Sequence, residues 1–97
     1  SIAGCNFNKV AVSHNSKYYI DKSYSKMKKQ LKNDGFNNIH PKYVKDVYEE
    51  NKVGTIKEIS IDGDRSFEKD EKYKKDSKIK IVVHTNYLQS FVYTLFP

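Results

Sequence analysis

Tyr24-Ser25-Lys26-Met27-Lys28-Lys29-Gln30-Leu31-Lys32-Asn33-Asp34-Gly35-Phe36 is the stretch on which the fold turns. Tyr24, Met27 and Leu31 recur at i, i+3 and i+7, which is one face of a helix. The spacing predicts a helix from about Lys22 to Asp34, with Asp21 or Ser23 as its N-cap. Asn33 and Asp34 favour a helix end, and Gly35 stands where a left-handed residue is wanted. Phe36 then drops back onto the core. Lys22, Lys26 and Lys29 fall opposite the apolar face, as a solvated helix side would.

Upstream, Lys9 to Ser13 places Val10 and Val12 in alternation with small or polar residues, as a short strand does. A polar, Tyr-rich stretch joins it to the helix. Downstream, residues 38–51 remain open. Pro41, Val44, Val47 and Tyr48 suit a helix, whereas Ile39, Tyr43 and the same valines suit a strand. Val53 to Asp62 reads as a strand with Ile59 and Ile61 on one face. Ile56 is out of phase, which implies a bulge or burial on both sides. Asp62-Gly63-Asp64 marks a turn. A charged loop from Arg65 to Ser77 carries Phe67 and Tyr73 as anchors. Lys78 to His84 alternates most cleanly, with Ile79, Ile81 and Val83 facing one way and Lys78, Lys80, Val82 and His84 the other.

These elements predict an α+β domain in which one helix packs on a small three- to four-stranded sheet. Ninety-seven residues allow one core. Residues 9–85 hold it, residues 1–8 read as a tether or signal-peptide remnant, and residues 86–97 as an apolar extension packed on the domain or on a partner. No charged side chain occurs from Ile81 to Pro97, and Phe91, Val92, Tyr93, Leu95 and Phe96 make the end of the chain apolar. Self-association through this tail is one expectation. The thirteen aromatics, eight of them Tyr, argue against disorder.

A formal charge of +6 admits polyanionic partners without requiring them. Of the eighteen cations seventeen are Lys and only Arg65 is Arg, which disfavours base readout of nucleic acid. No RNP, zinc-finger or helix-turn-helix pattern occurs. The lysines of the helix could meet phosphates or teichoic-type polyanions; the plainer reading is a solvated face. Cys5 is the single cysteine, so no internal disulfide forms. Ile2-Ala3-Gly4-Cys5 has the form of a lipobox, in which Cys5 would carry the lipid. The alternative is a small buried thiol. No apolar run of about twenty residues occurs, so membrane contact is expected only through such an anchor.

No catalytic or metal set assembles from spacing, and none is expected, nor any cofactor. His14, His40 and His84 lack zinc-site spacing. Asp62, Asp64 and Ser66 imitate the start of a calcium loop, but Phe67 occupies the glycine position and Tyr73 the final glutamate position. No Walker loop or nucleophile elbow is present.

Certain phrases carry a family likeness. Tyr24 opens a helix that ends Leu31-Lys32-Asn33-Asp34-Gly35-Phe36-Asn37-Asn38-Ile39. Val53-Gly54-Thr55-Ile56-Lys57-Glu58-Ile59-Ser60-Ile61-Asp62-Gly63 follows, then Phe67, Tyr73 and Asp76-Ser77-Lys78-Ile79-Lys80-Ile81-Val82-Val83-His84. The chain resembles, from Val10 to His84, the divergent PASTA-like domains of Gram-positive bacteria, relatives of those in penicillin-binding proteins and Ser/Thr kinases. The family's usual Pro in the last hairpin and its Gly before the final strand are absent, and Asp70 and Glu71 occupy that loop.

The resemblance implies a non-enzymatic binding module at the outer face of the cell membrane or in the cell wall, recognising peptidoglycan fragments or docking a surface protein. The binding surface expected is an exposed sheet edge near Lys78, Lys80 and His84 with neighbouring tyrosines. The alternatives are an intracellular basic domain that binds nucleic acid and a structural spacer that dimerises through Phe91 to Phe96.

Overall fold

The computed structural model describes residues 8–89, 95 and 96. Its architecture is α+β, as expected, with short and long helices packed against a two-stranded and a three-stranded sheet. Strand β1 spans Lys9–Ala11, helix α1 Ser16–Tyr19 and helix α2 Tyr24–Asp34. Strand β2 follows at Ile39–Lys45, a 3-10 turn at Glu50–Lys52, then β3 at Ile56–Ile61, β4 at Lys72–Lys74 and β5 at Ile79–Thr85.

Helix α2 begins and ends where local chemistry dictates. The Ser23 hydroxyl accepts from the Lys26 amide, and Gly35 adopts φ 112 as its amide donates to the Leu31 and Lys32 carbonyls. The helix buries Tyr24, Met27 and Leu31 in one core with Phe36, Ile56, Ile59, Ile61, Phe67, Ile79, Ile81 and Val83. Gly35 has a second reason to be glycine: a Cβ there would stand 2.7 Å from Val10 Cγ1.

β5 lies in the middle of the larger sheet, with the order β2-β5-β3. It runs parallel to β2 in the register Ile39↔Ile79 to Lys45↔Thr85, and antiparallel to β3. The open question over residues 38–51 is resolved by this pairing. Seven consecutive residues of β5 offer the backbone partners that a lone helix would have to supply for itself, so Ile39–Lys45 becomes a strand. Pro41, which has no amide proton, is tolerated because β2 is an edge strand. The phase problem at Ile56 is a bulge. The β3–β5 register shifts between Ile56 and Glu58, which brings Ile56, Ile59 and Ile61 to the same buried face.

Two short elements join the frame through long-range contacts. Asn15 caps the single turn of α1 by accepting from the Tyr18 amide at 3.1 Å. That turn is tied by the Ser16 amide to the Phe67 carbonyl at 3.0 Å, and Tyr19 packs on the Phe67 ring. The charged loop 65–77 contains β4, which pairs with β1 through Lys9↔Lys74, Val10↔Tyr73 and Ala11↔Lys72. The Asp34 carboxylate at the end of α2 accepts from both the amide and the hydroxyl of Ser13, closing β1 against the helix.

Beyond β5, the Asn86 side chain accepts from the Gln89 amide over a short turn. Tyr87, Leu88 and Phe96 are each three-quarters exposed. Cys5, and Phe91 to Tyr93 of the apolar tail, lie outside the described residues. Among the described residues no helix is long and apolar enough to cross a membrane.

Candidate functional site

A groove of about 720 Å³ opens between α2 and the segment leading into β3. One wall is the helix stripe Ser25, Lys28, Lys29 and Lys32; the other is Asn51, Val53, Gly54 and Thr55, with Tyr24 and Tyr43 between them. Ser25, Lys28, Lys29 and Lys32 share a side because they recur at i, i+3, i+4 and i+7. The stripe lies beside the buried face rather than opposite it.

The two walls are stitched at the mouth of the helix. The Tyr24 amide donates to the Gly54 carbonyl at 2.9 Å, and Ser23 bridges Thr55. The Gly54 amide donates to the His84 carbonyl at 2.8 Å, and the His84 amide to the Thr55 carbonyl at 2.9 Å, so the far wall hangs on the central strand. Gly54 holds φ 85, a left-handed conformation that keeps this wall close to the helix. The groove is thus fixed by backbone on both sides.

Its chemistry is cationic and phenolic. No Asp or Glu lines it, and none of Lys28, Lys29 and Lys32 joins an ion pair among the described residues. Lys28 Nζ stands 5.9 Å from the centre of the Tyr24 ring, at the outer limit of a cation–π contact. Tyr24 meets Tyr43 edge to face at 6.4 Å between centroids. Tyr24 is only 9% exposed, and its buried hydroxyl finds no hydrogen-bond partner among the described residues. Its pKa is pushed up to about 12, chiefly by burial and then by the neighbouring Tyr43.

The residues singled out from the sequence lie elsewhere. Lys80 and His84 point from the outer face of β5, and Lys78 precedes its first residue, with its amide donating to Asp62 Oδ1 at 3.0 Å. Because β5 is the middle strand, these residues mark a sheet face; the expected edge is formed by β2 and β3 instead. A smaller hollow of about 420 Å³ on that face is lined by Lys42, Glu58, Ser60, Arg65, Lys80 and Val82. Acids are mixed with the cations of this face, although Lys42 and Lys80 join no ion pair among the described residues. Arg65 bonds Glu58 at 2.8 Å, and Asp46 accepts from Lys57 at 2.8 Å and engages His84 Nδ1 at 2.7 Å. Burial alone would raise the Asp46 pKa, but the bonds from Lys57 and His84 hold its carboxyl below the usual range.

The histidines are dispersed. His14 stacks on Tyr18 with centroids 3.5 Å apart, His40 bonds Asn38, and His84 bonds Asp46. Among the described residues no group of His, Cys, Asp and Glu could hold a metal ion. Asp62 and Asp64 spend their side chains on the amides of Lys78 and Ser66, as turn residues do. Of the lysines read from the sequence as a solvated stripe, Lys22, Lys26 and Lys29, only Lys29 lines the groove, and the closure of the groove depends on where residues 51–55 come to rest. No family model, curated protein or solved structure matches this chain.

Proposed function

We propose that this domain is a non-enzymatic binding module of the outer cell surface that holds a cell-wall ligand in the groove between α2 and residues 51–55. The supporting observation is the groove itself: a backbone-fixed cleft with a phenolic floor and, among the described residues, three lysines outside any ion pair and no carboxylate in the lining. Hydroxyls of Ser23, Ser25 and Thr55 and the Asn51 amide add the sparse polar groups that orient a ligand in such a cleft. The half-buried Tyr43 offers a ring edge for a sugar or an aliphatic stem.

The PASTA-like phrases in the sequence suggest peptidoglycan fragments as the ligand, and Ile2-Ala3-Gly4-Cys5 suggests a lipid anchor at Cys5 on the outer face of the cell membrane. An amide-resolved NMR titration of the full chain with purified muropeptides tests this reading. Saturable shifts on Ser23 to Lys32, Tyr43 and Asn51 to Thr55 are expected. Shifts confined to Lys42, Lys80 and His84 would move the site to the outer sheet face, and no shifts at all would remove the glycopeptide.

A second reading follows from the tail. Tyr48, Tyr87, Leu88, Leu95 and Phe96 are exposed apolar groups, and Lys45 Nζ sits 5.1 Å over the Tyr87 ring. This suits a protein partner or a second copy of the chain. Light scattering over a range of concentrations separates the two, since only self-association responds to the chain's own concentration.

A further inference from the structure

We infer that the groove recognises the phosphate groups of a phosphodiester-linked polyol, a flexible polyanion without aromatic bases. The inference rests on the reading of the groove as a ligand site and names the group that it grips.

Three observations lead there. Lys28, Lys29 and Lys32 line one wall without a carboxylate partner, so the groove carries more positive charge than a single monoanion would neutralise. All three are lysines. A lysine is a compact point charge with three donors that can meet a phosphate oxygen from many directions. Lys28 and Lys32 stand one turn apart, about 6 Å along the helix axis, so they present repeated cations to repeated anions.

The neutral groups agree with this. Ser23, Ser25, Thr55 and Asn51 offer hydroxyls and an amide that a polyol can engage. Among the described residues the Tyr24 hydroxyl beside the lysines is buried without a hydrogen-bond partner, as is that of Tyr19 outside the groove. A ligand oxygen that reached Tyr24 would supply its partner.

The aromatic geometry argues against nucleic acid. Single strands bind by stacking bases on open rings. Here Tyr24 is nine-tenths buried and meets Tyr43 at right angles, so the two rings do not form the parallel open platform on which successive bases stack.

The test uses the full chain and three probes at equal charge concentration: a short glycerol-phosphate oligomer, a muropeptide and a deoxythymidine oligomer. The glycerol-phosphate oligomer is expected to shift the amides of Tyr24 to Lys32 and Asn51 to Thr55. Three neutralised phosphates give a salt slope of about −2, so affinity should fall roughly fifteenfold between about 50 and 200 mM salt. Lys28→Glu with Lys32→Glu should weaken binding by roughly tenfold or more, as expected for losing charge-assisted bonds. Lys69→Glu, outside the groove, should leave it nearly intact. Tyr24→Phe should weaken binding while the fold stays at least as stable.

If the glycerol-phosphate oligomer causes no groove shifts while the muropeptide does, the inference is overturned and the binding-module reading stands. Binding of the oligomer alone keeps the inference and removes the glycopeptide. Thymidine binding of equal strength overturns the inference in favour of nucleic acid. Lys69→Glu changes the net charge half as much as the double variant, so a loss of oligomer affinity half as large in free energy would report only net charge and also overturns the inference. Silence from all three probes overturns both readings.

Discussion

The groove beside α2 and the outer face of the sheet are both rich in cations, yet acids stand among those of the outer face and none lines the groove. On the outer face Lys57 and His84 converge on Asp46, and Arg65 meets Glu58. In the groove Lys28, Lys29 and Lys32 stand together with no acid among the lining residues. Like charges one turn apart cost a helix a few tenths of a kcal/mol. The fold gains nothing visible from that arrangement, whereas a ligand of opposite charge would. A cationic groove without an acid in its lining is therefore the part of this surface best suited to an anionic ligand.

The largest expected effect removes the frame that both regions share. Leu31 is fully buried beneath α2, so Leu31→Ala should cost about 2–5 kcal/mol. Urea unfolding should show the midpoint fall with the slope unchanged. Since both regions hang on one core, the amide shifts of both should broaden together; loss of one alone would mean that they are separate units.

Gly35→Ala should cost about 1–3 kcal/mol, because φ 112 is closed to alanine and its Cβ would press on Val10. Thermal unfolding reads this directly. The damage should concentrate at β1 and its partner β4, whose residues do not line the groove.

Tyr24→Phe sharpens the contrast between satisfied and unsatisfied polar groups. Deleting a buried hydroxyl that lacks a partner should raise stability by about 1 kcal/mol at neutral pH. The folded-state pKa lies above that of an unfolded tyrosine, about 10. This group's contribution is thus complete below about pH 10 and is lost as the pH climbs towards 12. The variant should lose less stability across that alkaline window, and a variant that unfolds with the same alkaline profile would break the account.

The smallest effects separate the two cationic regions. Asp46→Asn should lower stability by at most about 1 kcal/mol, as partly exposed ion pairs do. The low pKa of Asp46 means its contribution is present above the usual carboxylate range and fades as pH falls through the folded value. The variant should therefore differ from wild type at neutral pH and converge with it in acid. Lys28→Glu, by contrast, should raise stability by about 0.2–0.5 kcal/mol, because the new carboxylate would precede Lys32 by one turn. Equal losses from both substitutions, read by denaturant midpoint at neutral pH, would erase the distinction between the two regions.

The amino-acid sequence by itself determined the elements whose signals are local. The period of Tyr24, Met27 and Leu31, the Ser23 cap and the Gly35 stop specify α2 without help from the rest of the chain. The alternation of Ile79, Ile81 and Val83 likewise specifies β5 and its buried side. What remained was decided by pairing at a distance. Residues 39–45 carry helical and extended signals of similar strength, and only the seven-residue ladder with β5 selects the strand. One turn of α1 and three residues of β4 are too short to show a period, and they exist because Phe67 and β1 hold them. Lys80 and His84 looked like an edge because alternation reports which way a side chain points and is silent on which strands lie alongside. The groove was hidden for the same reason. The helix periodicity pointed to Lys22, Lys26 and Lys29 as a solvated side, of which only Lys29 lines the groove. The wall at residues 51–55 reaches the helix only through the backbone bonds of Gly54 and Thr55 to the helix mouth and to β5, contacts that are properties of the folded chain alone.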